Sequence, residues 1–193
     1  MKVVEALADH YQVALLNSKN SWRIRGQESY AYEIAQSFDY NLTKKTVVVP
    51  IGNAGNITAI MQGFLRLHDL AIIDTLPRIV GVQSRHADPV FRYYLEPDTA
   101  KRVFVPVAVQ PSVAQAAMIG NPVSMPRVIR LAAEYHRRAG KGSVAVVQVS
   151  EQEIMDSMLL ANRHGHIADT QGGESLAGYR MALKEKLVSK GEV

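Results

Sequence analysis

Short runs of β-branched residues alternate along this chain with stretches whose apolar residues recur at helical spacing. The runs cover residues 46–50, 78–83 and 143–149, and residues 11–16 are predicted to form a further strand. Alternating strands and helices are typical of an α/β fold, because neighbouring parallel strands need a long crossover between them. The sequence therefore predicts an α/β fold with a mainly parallel sheet flanked by helices.

The helices are predicted from apolar spacing and from their end signals. Residues 28–38 have one apolar face, and a second stripe consists of Ile57, Ile60, Met61, Phe64 and Leu67. Met125 and Pro126 begin another helix, and residues 150–153 form a capping box that opens the next. The last helix is expected to begin after Gly172 and Gly173. Residues 84–111 contain four prolines and are expected to be a loop with short elements.

Composition excludes several classes of protein. The 193 residues include no cysteine, which rules out disulfides, cysteine-ligated zinc and thiol nucleophiles. No apolar run is long enough to span a membrane, and no secretory signal is present, so a cytoplasmic protein is expected. The whole chain has a net charge of +4, and the charge excess of residues 126–141 alone equals that value. This stretch is predicted to be a solvated helix face. No aromatic platform for nucleic acid accompanies it, so neither nucleic acid nor a membrane is an expected partner.

Residues 47–56 carry the strongest chemical signal. A buried strand ends in Gly52-Asn53-Ala54-Gly55-Asn56, and a helix follows at once. Glycines permit a tight turn and a close ligand, and the free N–H groups of a helix N-terminus attract anions. The side chains of Asn53 and Asn56 add donors, and Asn56 could also cap the helix. The pattern alone fits either a phosphate-binding loop or an ordinary strand-to-helix turn.

Five segments in order resemble the C-terminal part of threonine synthase, a pyridoxal-phosphate enzyme of the tryptophan-synthase-β fold type. They are Asn-Ser-Lys-Asn-Ser-Trp-Arg-Ile-Arg-Gly-Gln at residues 17–27, the loop at 52–56, Leu-Pro-Arg-Ile-Val-Gly-Val-Gln at 76–83, Ile-Gly-Asn-Pro-Val-Ser at 119–124, and Thr-Gln-Gly-Gly-Glu-Ser-Leu-Ala-Gly at 170–178. The resemblance covers nearly the whole chain. It implies the larger-domain part of that fold and a lyase that converts O-phosphohomoserine and water to threonine and phosphate.

The resemblance also implies roles for particular residues. Gly52, Asn53, Ala54, Gly55 and Asn56 would hold the phosphate of the cofactor, pyridoxal phosphate. Ser18, Arg23 and Asn53 match the positions that bind the substrate's phosphate, and a guanidinium fork suits a phosphate dianion. Thr170 matches the hydroxyl residue that meets the pyridine nitrogen of the cofactor, although it could equally be a helix cap. Asp169 and Arg25 depart from the usual pattern of the family.

One essential residue of the family has no counterpart among the nine lysines of the chain. None lies in the sequence context of the family's Schiff-base lysine, and Lys19 stands where relatives usually carry an apolar residue. The resemblance therefore places that lysine upstream of Met1 and assigns no catalytic residue here. Residues 1–10 would be a remnant of the smaller domain and residues 11–193 the larger domain. The chain alone is expected to be inactive, and to self-associate or to pair with a complementing N-terminal half.

Other interpretations stay open at this point. The chain could be a non-catalytic module that binds phosphate or pyridoxal phosphate, or the partner chain of a split gene. It could also belong to a sister enzyme of the same fold type, such as an amino-acid dehydratase or a cysteine synthase. No metal site is predicted, because His164 and His166 have no acidic residue at ligand spacing.

Overall fold

The computed structural model describes residues 2–15, 18 and 20–191. At its centre lies a parallel three-stranded sheet made of β1 (Thr46–Pro50), β2 (Arg78–Ser84) and β3 (Val144–Val149), with β2 in the middle. The register pairs Val48 with Val80 and Gly81 with Val146. The predicted α/β fold with a parallel sheet is confirmed, and the three strands lie at the three clearest β-branched runs.

The described residues form eight α-helices around this sheet. They are α1 (Lys2–His10), α2 (Ser21–Gln27), α3 (Ser29–Ser37), α4 (Gly55–Asp69), α5 (Pro89–Leu95), α6 (Met125–Ala139), α7 (Glu151–Arg163) and α8 (Thr170–Lys184). A single 3₁₀ turn occupies Gln115–Ala117. The helices predicted at residues 28–38 and after Met125 are confirmed, and so is the capping box of α7, in which Ser150 and Glu153 bond each other reciprocally.

Two apolar cores lie on opposite faces of the sheet. Successive side chains of a strand point to opposite faces, so Ile79 of β2 joins one core while Val80 and Val82 join the other. Helices α3, α4 and α6 cover the first core, whose largest buried side chains include Phe64. Helices α7 and α8 cover the second core. This double cover explains why the strands are apolar on both faces.

The strand predicted at residues 11–16 is wrong. Residues 11–15 form no strand, and residue 16 lies outside the described residues. Tyr11 and Val13 are 62% and 58% exposed, and Val13 is the one β-branched residue among residues 11–15, so this stretch lacks both the burial and the β-branching of the three strands. Within the described part of this stretch, the Val13 N–H donates to the Tyr11 carbonyl at 2.7 Å, and the Leu15 carbonyl accepts from Asn20 Nδ2 at 2.7 Å.

The predicted start of the last helix is also wrong, since α8 begins at Thr170 and includes Gly172 and Gly173. The Asp169 carboxylate accepts a hydrogen bond from the Gly172 N–H at 2.8 Å. This cap fixes the first helical turn and thereby offsets the weak helix propensity of the glycines. Asp169, and not Thr170, is therefore the N-cap.

The basic stretch at residues 126–141 lies largely on α6, as predicted. Arg137 and Arg138 both donate to the Glu134 carboxylate, and these hydrogen bonds lower the pKa of Glu134 to about 2. In the part of the chain that the structure describes, no helix combines the length and the apolar character needed to cross a membrane.

Candidate phosphate-binding site

The loop that links β1 to α4 lies at the carboxyl edge of the sheet, where open α/β sheets bind ligands. Ala54, directly before α4, has left-handed backbone (φ 61°) and supplies no side-chain cap. The N–H groups of the first turn of α4 are therefore available to an anion. A Cβ on Gly52 would lie 3.1 Å from both the Ala116 carbonyl oxygen and Ala117 Cα, so glycine lets the loop pack against the Gln115–Ala117 turn.

Asn56 does not cap α4, because it lies in the first turn of that helix. Its side-chain Oδ1 is buried and has no hydrogen-bond partner in the described part of the chain. A buried acceptor without a partner does not itself bind an anion, but Asn56 also lines the cavity beside this loop, where its amide N–H groups can donate to a phosphate.

Ser18, Arg23 and Asn53 are brought together beside this loop. The Ser18 hydroxyl oxygen accepts hydrogen bonds from Arg23 Nη1 at 3.3 Å and from Asn53 Nδ2 at 3.3 Å. Asn53 is 35 residues from Ser18 in sequence, so only the fold creates this contact. The cluster presents a cation, a hydroxyl and an amide to one small volume, which is a donor set suited to phosphate.

Helix α2 positions Arg23. The Asn20 side chain caps α2 by accepting from the N–H groups of Trp22 at 2.8 Å and Arg23 at 3.2 Å. The buried Ile24 anchors α2 close to Gly55. A Cβ added to Gly55 would lie 3.9 Å from Ile24 Cγ1. Because Gln27 is one helical turn after Arg23, both side chains reach the same cavity.

These groups line a cavity of about 220 Å³. Its walls contain Ser18, Arg23, Ile24, Gln27, Pro50, Gly52, Asn53, Ala54, Gly55, Asn56, Ala116, Ala117 and Gln171. The loop residues, Ser18 and Arg23 are predicted as site residues from the sequence, whereas Gln27, Gln171 and the 115–117 turn are not. The i, i+4 spacing from Arg23 to Gln27 was an available signal, whereas nothing local marks Ala116 or Ala117.

Thr170 is half-buried at the start of α8 and is not among the residues that line the cavity. Its neighbour Gln171 forms that part of the wall. In the amide orientation that satisfies both ends of the side chain, Gln171 Nε2 donates to the Thr170 hydroxyl oxygen at 3.3 Å and to Asp169 Oδ2 at 3.0 Å, and Oε1 accepts from the Ala116 N–H at 3.2 Å. Gln171 therefore ties α8 to the turn that packs on Gly52.

The residues described along the cavity wall include no lysine. Lys19, which is near Ser18 in sequence, lies outside the described residues. The site thus holds the groups for binding an anion, and within the described chain it lacks an amine nucleophile.

The parallel sheet with helices on both faces matches the tryptophan-synthase-β-like fold. The family described as pyridoxal-phosphate dependent enzymes matches the chain over residues 1–193. The chain belongs to this family, whose members use pyridoxal phosphate as their cofactor.

Two curated relatives illustrate how the chain compares with longer proteins. Threonine synthase of Methanocaldococcus jannaschii is 33% identical over 192 residues, which cover 100% of this chain and 45% of the relative. Chloroplastic threonine synthase 2 of Arabidopsis thaliana is 31% identical over 188 residues, which cover 97% of this chain and 34% of the relative. The chain therefore spans less than half the length of these two relatives.

Solved structures share the fold at lower sequence identity. Threonine synthase from Escherichia coli superposes with a TM-score of 0.69 at 22% identity, over 91% of this chain and 37% of the other. Maize serine racemase superposes with a TM-score of 0.69 at 18% identity, over 96% of this chain and 52% of the other. Because the fold is shared by proteins with different names, it does not by itself determine the reaction.

Proposed function

We propose that this chain supplies the cofactor-phosphate loop and the substrate-phosphate site of a threonine synthase. That enzyme is a lyase that converts O-phosphohomoserine and water to threonine and phosphate. The observation that carries the proposal is the meeting of Arg23, Ser18 and Asn53 beside the loop, with both hydrogen bonds at 3.3 Å. The curated relatives named threonine synthase support it over nearly the full length of this chain.

Two anions would then be held side by side. The N–H groups of residues 52–56 and the Asn56 amide would hold the phosphate of the cofactor, and Arg23 with Ser18 would hold that of the substrate. Asn53 lies between the two places, because it belongs to the loop and also bonds Ser18. Pyridoxal phosphate, when bound, supplies an electron sink for reactions at the amino-acid carbons.

We further propose that Thr170 faces the pyridine nitrogen of the cofactor, with Gln171 beside it. Thr170 begins α8, and its neighbour Gln171 lines the cavity. A neutral hydroxyl leaves that nitrogen without the proton that an acidic partner would hold there. Asp169 is occupied as the cap of α8 through Oδ1, which supports a structural role for its carboxylate.

In this proposal the chain binds ligands but makes no threonine alone, because no described lysine lines the cavity. Residues 1–10 would belong to the smaller domain and residues 11–193 to the larger. Large apolar side chains of α1, including Val3 and Leu7, are exposed, which is consistent with a helix whose packing partner is another domain. The lack of a described lysine equally suits a non-catalytic module that binds phosphate or pyridoxal phosphate.

Binding measurements on the purified chain test the phosphate site. We expect Arg23→Gln to weaken the binding of O-phosphohomoserine by about tenfold or more, because a charge-assisted hydrogen bond is lost. Arg25→Gln is a matched control on the same helix, since Arg25 lines a different cavity next to Glu28. O-acetylserine, which has no phosphate, should bind far more weakly. Equal binding by wild type and Arg23→Gln would contradict the proposed site.

Activity measurements test the rest of the proposal. The chain alone should release no threonine from O-phosphohomoserine, whereas a mixture with the lysine-bearing half of a threonine synthase should do so. Threonine release by the chain alone would overturn the proposed inactivity. O-phosphohomoserine binding without activity in any mixture would favour the non-catalytic module.

A further inference from the structure

Gln83 is a fully buried polar side chain on β2, and it contacts two separate segments. Gln83 is 0% exposed, and both the oxygen and the nitrogen of its amide are hydrogen-bonded. Oε1 accepts hydrogen bonds from the N–H groups of Val90 at 2.9 Å and Phe91 at 3.0 Å, and Nε2 donates to the Ile51 carbonyl at 3.2 Å. A buried amide that bonds on both sides fixes its partners relative to each other.

Ile51 is the residue through which the chain enters the phosphate loop. The regular pairing of β1 with β2 ends where Pro50 faces Val82. Beyond that point, the Ile51 N–H donates to the Val82 carbonyl at 2.8 Å, and the Ile51 carbonyl accepts from Gln83. Both backbone groups of Ile51 are thus held by the end of β2, directly before the chain turns at Gly52.

The other side of Gln83 holds the start of α5. Val90 and Phe91 lie in its first turn, where N–H groups lack partners within the helix. Gln148 of β3 pairs with Gln83 in the sheet register and donates to Asp88 Oδ2 at 2.5 Å. Gln83 and Gln148 therefore both secure the start of α5, but of these two glutamines it is Gln83 that is bonded to Ile51.

We propose that Gln83 is a positioning residue for the phosphate loop. By fixing the Ile51 carbonyl, it sets the direction in which residues 52–56 leave the sheet, and hence where their N–H groups converge. This rests on the proposed function of the loop as the place of the cofactor phosphate. Glutamine is required because the residue must donate to the loop and accept from α5 at once, which neither methionine nor an ionised glutamate does.

Three variants test this role. Gln83→Met and Gln83→Leu each remove both contacts at similar volume, and neither side chain can take up a proton and donate to Ile51 in place of the amide. Gln148→Met is the matched control, because it removes a contact to the start of α5 in the next strand and leaves Ile51 bonded. Hydrogen exchange by mass spectrometry reports the order of residues 51–56 without any ligand, and titration with pyridoxal phosphate reports its binding.

The expected result is faster exchange at residues 51–56 in both Gln83 variants, and wild-type exchange there in Gln148→Met. Pyridoxal-phosphate affinity should fall by about tenfold in both Gln83 variants, and stay within about twofold of wild type in Gln148→Met. Unchanged exchange at residues 51–56 in whichever Gln83 variant folds would overturn the positioning role. If wild type binds no pyridoxal phosphate, the proposed function fails, while the exchange result still decides the role of Gln83.

Discussion

Replacing Glu174 with glutamine should stabilise the folded chain at neutral pH. Glu174 lies in α8, is 0% exposed, and neither carboxyl oxygen has a hydrogen-bond partner among the described residues. Burial raises the pKa of Glu174 to about 8, and the nearby negative charge of Glu151 adds to this, while the Ser84 backbone acts in the opposite direction. The folded chain therefore keeps a proton that the unfolded chain has already released.

The magnitude follows from the difference between the two pKa values. An unfolded glutamate has a pKa of 4.5, so the favourable contribution of the protonated acid is complete below pH 4.5 and is lost as the pH rises toward 8. Each pH unit in this window lowers the free energy of unfolding by about 1.4 kcal/mol, which gives up to about 3 kcal/mol near pH 7. Glutamine carries no titrating proton and should retain most of that amount.

Urea unfolding at about pH 5, 7 and 8.5 measures the effect. The advantage of Glu174→Gln over wild type should grow with pH across this range. Glu153→Gln is a control whose difference from wild type should stay constant across this range. Although burial raises the pKa of Glu153, the hydrogen bonds from the Ser150 backbone and hydroxyl lower it overall. Its charged form stabilises the fold above the unfolded pKa, and that contribution is lost as pH falls. Parallel curves for Glu174→Gln and wild type would refute the reasoning.

Two further substitutions test packing and capping by the same urea assay. Gly178→Ala should lower the free energy of unfolding by about 1–2 kcal/mol, because the new Cβ would lie 2.1 Å from Val82 Cγ2 and the overlap outweighs the gain in helix propensity. Gly26→Ala in α2 meets nothing within 4 Å and should instead be neutral or stabilising, so equal effects of the two changes would contradict the packing argument. Ser150→Ala should cost about 1 kcal/mol, because the hydroxyl accepts from the Glu153 N–H at 3.3 Å, and an unchanged urea midpoint would exclude this role.

Local sequence patterns predicted two kinds of element: strands that are buried on both faces, and helix ends that are stabilised by contacts within one turn. The three strands are continuous apolar runs covered on both faces, and the capping box needs only Ser150 and Glu153 within one helical turn. Residues 11–15 contain a single β-branched residue, Val13, and have no sheet neighbour, so no strand forms there. The start of α8 was misplaced because a single cap by Asp169 outweighs the glycines that follow.

The candidate site divides in the same way. The loop at residues 52–56 is a local feature, since a strand, a tight turn and a helix N-terminus follow one another in the chain. By contrast, Gln171 and Ala117 reach the cavity only because α8 and the 115–117 turn pack against that loop. Gln83 gives no local signal at all, since its bonds to Ile51 and Val90 depend on how β2, the loop and α5 are assembled.

By itself, the sequence determined the α/β class, the three strands and the phosphate-type turn, because these follow from periodicity, β-branching and backbone freedom at neighbouring residues. Tertiary structure alone decided which distant polar groups meet, such as Asn53 with Ser18 and Gln83 with Ile51. The physical reason is that a hydrogen bond depends on distance and direction within a few tenths of an ångström, and the packing of whole elements sets both.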